Sequence, residues 1–373
     1  MIISKSKKSI NLLKKKINQI EPIIYSQDKI SLKKYINSDS WYTENKITKE
    51  FEASFAQLTG SKYAVAFPNG TLTLLSLLLI MNLKKEDTVL VPSLTMVATA
   101  NIVKLAGYKL DFVDISEDNL CINPSLLEKK LKNNKSIKLV IYVNFNGRSG
   151  EINKIKNICK RKKIILIEDA AHSIGSFLNK SHHGTFGIAG SFSFSTPKII
   201  TTGQGGMVVT NKKKIFLNLK KLKNFGRKKD GNDIYQSLGY NFKFTDLQAT
   251  LGISQLKTLN FRIEKKRYIF KLYQKLLSDV SEIQMINFKD SETPWFVDIF
   301  VKNRDALIKY LEKEGIICRK IYPSLNKLKF FNTKQKCLVS ENYSKKGIWL
   351  PSSINLSYKD IYRICDLIKK FYV

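Results

Sequence analysis

Lys198 closes the run SFSFSTPK, five positions after Ser193, and the glycine-rich TTGQGG follows it. A lysine amine attacks carbonyl carbon once its surroundings lower its pKa, although one lysine says little in so lysine-rich a chain. Glu168-Asp169 ends IILIEDA, where an apolar run delivers a carboxylate to a strand end. Such an acid needs a partner, because an unpaired buried charge is costly; a helix-capping Asp is the plain alternative. Asn69-Gly70-Thr71 stands between YAVAFP and an apolar helical stretch, so its N–H groups and hydroxyl suit a phosphate. Taken alone, that turn reads first as a helix cap. The G-x-G of Gly203-Gln204-Gly205 lacks the strand–helix unit of a dinucleotide site, and close backbone packing explains its glycines.

All three histidines, His172, His182 and His183, precede the lysine run. Adjacent side chains diverge and no Cys/Asp ligand pattern surrounds the pair, so no metal is expected at His182/His183. His172 lies three residues past Asp169, close enough to share its site. A G-x-S-x-G elbow is missing, which argues against a serine hydrolase.

The elements that must position these groups alternate. ITKEFEASFAQLTG is amphipathic and stops at Gly60, a suitable C-cap. β-branched runs follow at 63–67, 88–94, 109–115, 138–145, 164–170, 190–195 and 205–210, with helical segments between several of them. Nearly continuous apolar strands separated by helices predict a parallel sheet covered on both faces, whose ligands gather at the carboxyl ends of the strands. From about Tyr268 the texture changes to helix, then PWFVDIFVKNR, then DALIKYLEKEG. The expected organisation is a Lys-rich, partly helical lead-in (1–35), a large domain (36–265) and a smaller α+β domain (266–373).

Composition narrows the class. The chain is 43% hydrophobic with no run of apolar residues long enough for a membrane helix. MIISKSKKSINLLKKK intersperses basic residues and lacks a cleavage site, so it does not read as a secretory signal. Five widely spaced cysteines without C-x-x-C indicate neither disulfides nor zinc, and a cytoplasmic setting fits. Net charge is +33, from 64 Lys+Arg against 31 Asp+Glu. The lysines are spread along the chain and not gathered in one arm, which argues for a field that attracts anionic substrates and not for a nucleic-acid partner.

Together, a phosphate-binding turn, a strand-end Asp, a Ser five residues before a Lys and a glycine-rich turn are the parts that hold pyridoxal 5′-phosphate. The Lys bonds the aldehyde and the Asp keeps the ring nitrogen protonated, making the ring an electron sink.

These stretches, in this order, resemble the DegT-type nucleotide-sugar aminotransferases, a branch of the fold-type-I pyridoxal phosphate enzymes. The pieces are FEASFAQLTGSKYAVAFPNGT, VLVPSLTMVATANIVKLAGYKLDFVDI, IILIEDAAHSIGS, GTFGIAGSFSFSTPKIITTGQGGMVVT and LGYNFKFTDLQATLGISQL. The resemblance implies an α/β fold with a three-layer α/β/α large domain, a mostly parallel sheet and a smaller C-terminal α+β domain. By it, Lys198 matches the cofactor lysine and proton shuttle, Asp169 the pyridine-nitrogen carboxylate, and His172 a residue beside the phenolic oxygen. Gly70, Thr71 and Ser193 match phosphate ligands. Asn241, in LGYNFKFTD, matches an asparagine that reaches the neighbouring subunit's phosphate, so a homodimer is implied. Met96 stands where many relatives stack an aromatic on the ring, and a thioether can pack there. Lys243 replaces a usual arginine and Gln204 a common glutamate.

GIWLPSS and SFSTPKIITTGQGG look like perosamine-synthetase-like members, which aminate sugar carbon 4. The expected reaction carries an amino group from L-glutamate to a GDP- or dTDP-linked 4-keto-6-deoxyhexose. Arg319 and Tyr322 are candidate contacts to the sugar nucleotide, with surface or interface packing as the alternative. Rival readings are a sugar 3-aminotransferase or dehydratase on the same scaffold, the latter carrying histidine at the lysine position, and a non-catalytic basic binding protein.

Overall fold

The computed structural model describes residues 15–228 and 231–373. The Lys-rich opening expected to be partly helical, and read above as no secretory signal, lies outside them up to residue 14. Helix α1 (Ser26–Ile36) is followed by α2 (Lys46–Thr59), which Gly60 closes in the left-handed region (φ 68°) as its spacing predicts. Asp246 caps α2 from afar, accepting the backbone N–H groups of Ile47 and Thr48 and the Thr48 hydroxyl.

Strand and helix then alternate through β1 (Tyr63–Phe67), α3 (Gly70–Leu79), β2 (Thr88–Pro92), α4 (Ala98–Leu105) and β3 (Lys109–Val113). The series continues with α5 (Pro124–Asn133), β4 (Ile137–Val143), α6 (Ile152–Arg161) and β5 (Ile165–Asp169). A small hairpin of β6 (Phe177–Leu178) and β7 (Ser181–His182) precedes β8 (Ala189–Ser193) and β9 (Gly206–Thr210). Helices α7 (Lys213–Lys223), α8 (Asp246–Leu256) and α9 (Leu259–Leu276) lead out of the sheet, and α9 runs through the 265/266 position. The C-terminal part holds β10 (Val297–Phe300), α10 (Arg304–Lys313), β11 (Arg319–Lys320), α11 (Leu338–Lys346), β12 (Gly347–Leu350) and α12 (Tyr358–Tyr372).

The seven strands of the large sheet run in the order β1-β9-β8-β5-β4-β2-β3. β3, β2, β4, β5 and β8 are mutually parallel, while β9 is antiparallel to both its neighbours. The exception has a simple cause. A parallel pair needs a crossover, usually a helix, and the 194–205 connection contains none. It turns the chain straight back and leaves Lys198 in the loop.

Both faces of this sheet are buried, with alternate residues serving opposite cores. Ala64, Leu90 and Val140 pack to one side with Phe51 and Phe55 of α2, and Val65, Val89 and Leu139 to the other with Leu74 and Leu77 of α3. The first core continues into the C-terminal part through Trp295, Phe300, Tyr322 and Trp349. The second link is polar. Arg148 grips Asp298 with two hydrogen bonds of 2.7 and 2.8 Å, and both side chains are fully buried. β10, β12 and β11 form an antiparallel sheet in the C-terminal part.

Candidate active site

The carboxyl end of β5 delivers Asp169 into a cavity of about 210 Å³. Thr99, in the first turn of α4, donates its hydroxyl to Asp169 Oδ2 at 2.8 Å, and the Ala171 N–H donates to Oδ1 at 3.1 Å. Burial raises the proton affinity of this carboxyl, while Thr99, the Ala171 amide and the Lys198 amine hold it down. The preceding Glu168 points away and performs the structural role. It accepts the N–H groups of Gly184, Phe186 and Gly187, anchoring the turn before β8.

At the end of β8, Ser193 faces the start of α3. Asn69 caps that helix, its Oδ1 accepting the Leu72 N–H at 2.9 Å. The capping reading is therefore right for Asn69, while Gly70 and Thr71 beside it line the cavity. A methyl group on Gly70 would stand 2.8 Å from Ser193 Cβ, so the close approach of helix start and strand end requires glycine.

Lys198 is half-buried, and desolvation in the cavity brings its amine down to about 7 against the opposing pull of Asp169, with Arg319 lowering it further. Its Nζ lies 3.8 Å from the ring centre of Trp295. His172 stacks on the same tryptophan at 4.0 Å. The backbone N–H of Asn146, a residue held at φ 55°, donates to His172 Nδ1 at 3.3 Å. That bond makes Nδ1 the acceptor and leaves the proton on Nε2. Burial and the nearby Lys198 and Arg319 charges keep the ring neutral, well below its usual range.

Met96 lines the mouth of the same cavity and is 41% exposed. Arg319 and Tyr322 line it from the C-terminal part, the guanidinium lying 5.7 Å over the Tyr322 ring and 5.5 Å over Trp349. No carboxylate among the described residues pairs with Arg319. Of the residues expected to hold cofactor or substrate, Asn241 does not line this cavity, and neither do His182, His183 and Lys243. Asn241 is exposed, and its backbone bridges to that of the buried Asn224. Sequence reasoning passed over Thr99 and Trp295. Thr99 sits in a motif quoted above, three positions past Met96, and a polar residue opening a helix beside a site was a usable signal. Trp295 had none, since it arrives from the far C-terminal part inside an apolar strand lead-in.

The donor set fits pyridoxal phosphate. A desolvated amine and a buried carboxylate share one cavity, and a helix start with flanking hydroxyls offers N–H groups to a phosphate. The cradle between Gly70 and Ser193 has no room for a side chain.

The comparisons point the same way. The model of the DegT/DnrJ/EryC1/StrS aminotransferase family matches residues 23–369. A GDP-perosamine synthase of Escherichia coli O157:H7 is 31% identical over 348 residues, covering 91% of this chain and 95% of its own. A UDP-4-amino-4,6-dideoxy-N-acetyl-beta-L-altrosamine transaminase of Campylobacter jejuni is 29% identical, covering 90% and 94%. Among solved structures, PseC of Helicobacter pylori, an aminotransferase involved in the biosynthesis of pseudoaminic acid, superposes with a TM-score of 0.91 at 26% identity. That match covers 95% of this chain and 99% of PseC.

Proposed function

Because this chain belongs to the DegT/DnrJ/EryC1/StrS aminotransferase family, we propose that it moves an amino group from L-glutamate to carbon 4 of a nucleotide-linked 4-keto-6-deoxyhexose. The family makes it a pyridoxal 5′-phosphate-dependent enzyme of the nucleotide-sugar class. The observation that carries the reading is the convergence of Lys198, Asp169, Gly70 and Ser193 on one cavity. Carbon 4 is favoured because the similar relative from Campylobacter jejuni is named for a 4-amino sugar, and because the sequence resembles perosamine-synthetase-like members. GDP is the first base to test, since the 31% identical relative is named for it.

When bound, the cofactor supplies an aldehyde carbon that accepts and returns amino groups, and a ring that withdraws electrons once its nitrogen is protonated. Gly70, Thr71 and Ser193 would hold its phosphate and Met96 would pack on its ring. Asp169 would face the ring nitrogen, its raised proton affinity suiting a shared proton and Thr99 fixing its orientation. The Nε2–H of His172 would donate to the phenolic oxygen. With its amine near 7, Lys198 is in large part neutral at physiological pH, so its Nζ can attack carbon and then carry a proton. Arg319, free of a carboxylate partner, would anchor the anionic end of a substrate, with Tyr322 below it.

Asn241 fits the shared-site reading by its surface position. Around it, Leu238 (91% exposed), Tyr240, Tyr235 and Phe225 present apolar surface. The Thr43–Thr245 bridge brings the loop carrying Trp41 (68% exposed) to the same region. A second copy of this chain would cover these apolar side chains. Each half, 36–265 and 266–373, would then contribute one wall of the site. All five cysteines are unpaired, which supports a reducing, cytoplasmic setting.

The test is product analysis. With glutamate and GDP-4-keto-6-deoxymannose, the reading expects 2-oxoglutarate and a 4-amino-4,6-dideoxy sugar nucleotide, identified by nuclear magnetic resonance. A 3-amino or 3-deoxy product, or no turnover with any GDP-, dTDP- or UDP-linked keto sugar, would contradict it.

A further inference from the structure

Trp295 belongs to the C-terminal part, yet its ring meets the two titratable groups on the far wall of the cavity. Its indole N–H donates to the Pro197 carbonyl at 2.8 Å, one residue before Lys198. Its backbone N–H donates to the Asn146 carbonyl at 3.1 Å, in the turn that also fixes His172. Phe296 stacks on the ring at 3.8 Å and Trp349 meets it edge-on at 5.6 Å, so the indole is packed on both sides and 2% exposed. Against this held ring lies the Lys198 Nζ, 3.8 Å from its centre, within the range where an ammonium is attracted to an indole face.

The geometry points to Trp295 as the positioning residue for the reactive amine. Its ring is the resting surface for protonated Lys198, and its N–H ties down the turn that presents it. A lysine that leaves the cofactor and returns to it needs a defined place to wait. In this cavity that place is aromatic, since Nζ lies over the indole face and makes no ion pair with Asp169 among the described residues. The groups facing Lys198 are Asp169, His172, Arg319 and Tyr322, and of these only Asp169 favours its charged form. The tryptophan face is thus the second contributor to holding a proton on Nζ. This inference rests on Lys198 being the cofactor lysine.

The test uses the full-length chain freed of cofactor, with fluorinated tryptophans placed at position 295 alone. Fluorine withdraws charge from the ring face and keeps shape and N–H. Trace acetylation with acetic anhydride, read by peptide mass spectrometry, gives the pH midpoint at which Lys198 becomes reactive. The midpoint should fall stepwise with fluorination, by about half to one pH unit across the series. A midpoint that stays fixed or rises overturns the resting-surface role. Trp295→Phe keeps an aromatic face and loses the N–H, so it should hasten hydrogen exchange at the Lys198 amide, which bonds Ser195 O at 3.0 Å. Unchanged exchange there overturns the tethering role. Borohydride mapping of the loaded enzyme separates the two failures. A label away from Lys198 defeats the cofactor assignment, whereas a fixed midpoint with the label on Lys198 defeats only the role of Trp295.

Discussion

Gly70 and Ser193 approach so closely that a Cβ on the glycine would stand 2.8 Å from that of the serine. The contact joins the start of α3 to the end of β8 and forms the floor on which a phosphate would sit. Gly70→Ala must push these apart, and overpacking of this kind costs ~1–3 kcal/mol. Cofactor affinity, measured by fluorescence titration, is expected to weaken by about 10- to 100-fold. An unchanged Kd would show that the phosphate lies elsewhere.

Asp169→Asn removes a negative charge and keeps the Thr99 contact geometry. Turnover should fall by ~10²–10³-fold, the scale of losing one preorganised electrostatic partner, with a much smaller change in cofactor Kd. The Lys198 amine should also drop further below about 7, because the anion that opposes its desolvation is gone. Equal losses in binding and turnover would contradict the role.

Acid should unfold this protein early. Burial holds His172 and His183 well below the usual imidazole range and brings His182 to about 4. Between 6.5 and about 4 the unfolded chain binds the protons that the folded one refuses, so stability falls as pH falls. Each such histidine withdraws up to about 1.4 kcal/mol per pH unit. His183 has no protein hydrogen-bond partner at either ring nitrogen. His183→Phe is therefore expected to leave stability at pH 8 equal or higher and to make Tm less steep in pH below 6.5. A slope matching the parent would refute this assignment.

Arg148→Met leaves Asp298 buried without its partner. Removing one member of a buried pair costs ~3–5 kcal/mol, read as a lower urea midpoint. Replacing both residues by apolar ones should recover much of the loss. A single variant within about 1 kcal/mol of the parent would show that the pair holds the two parts together only weakly.

Much of the fold was legible because its strands are short, apolar and separated by helices. The runs at 63–67 and 205–210 match β1 and β9 closely. The reversal at β9 was not read, since direction depends on whether a connection can cross over, and the 194–205 loop gives no period to follow. Asp169, Ser193 and Lys198 were legible as local strand-end chemistry. The roles of Asn146 and Trp295 were not, because each acts through a contact distant in sequence. Asn146 uses its backbone N–H, which every residue possesses, and Trp295 looks like core until the strand that precedes Lys198 is folded against it.

Borohydride reduction of the cofactor-loaded protein, followed by peptide mapping, tests the central assignment most directly. The account predicts a stable pyridoxyl label on Lys198 and no labelling in Lys198→Ala. A label on any other lysine, or none at all with cofactor bound, would contradict it.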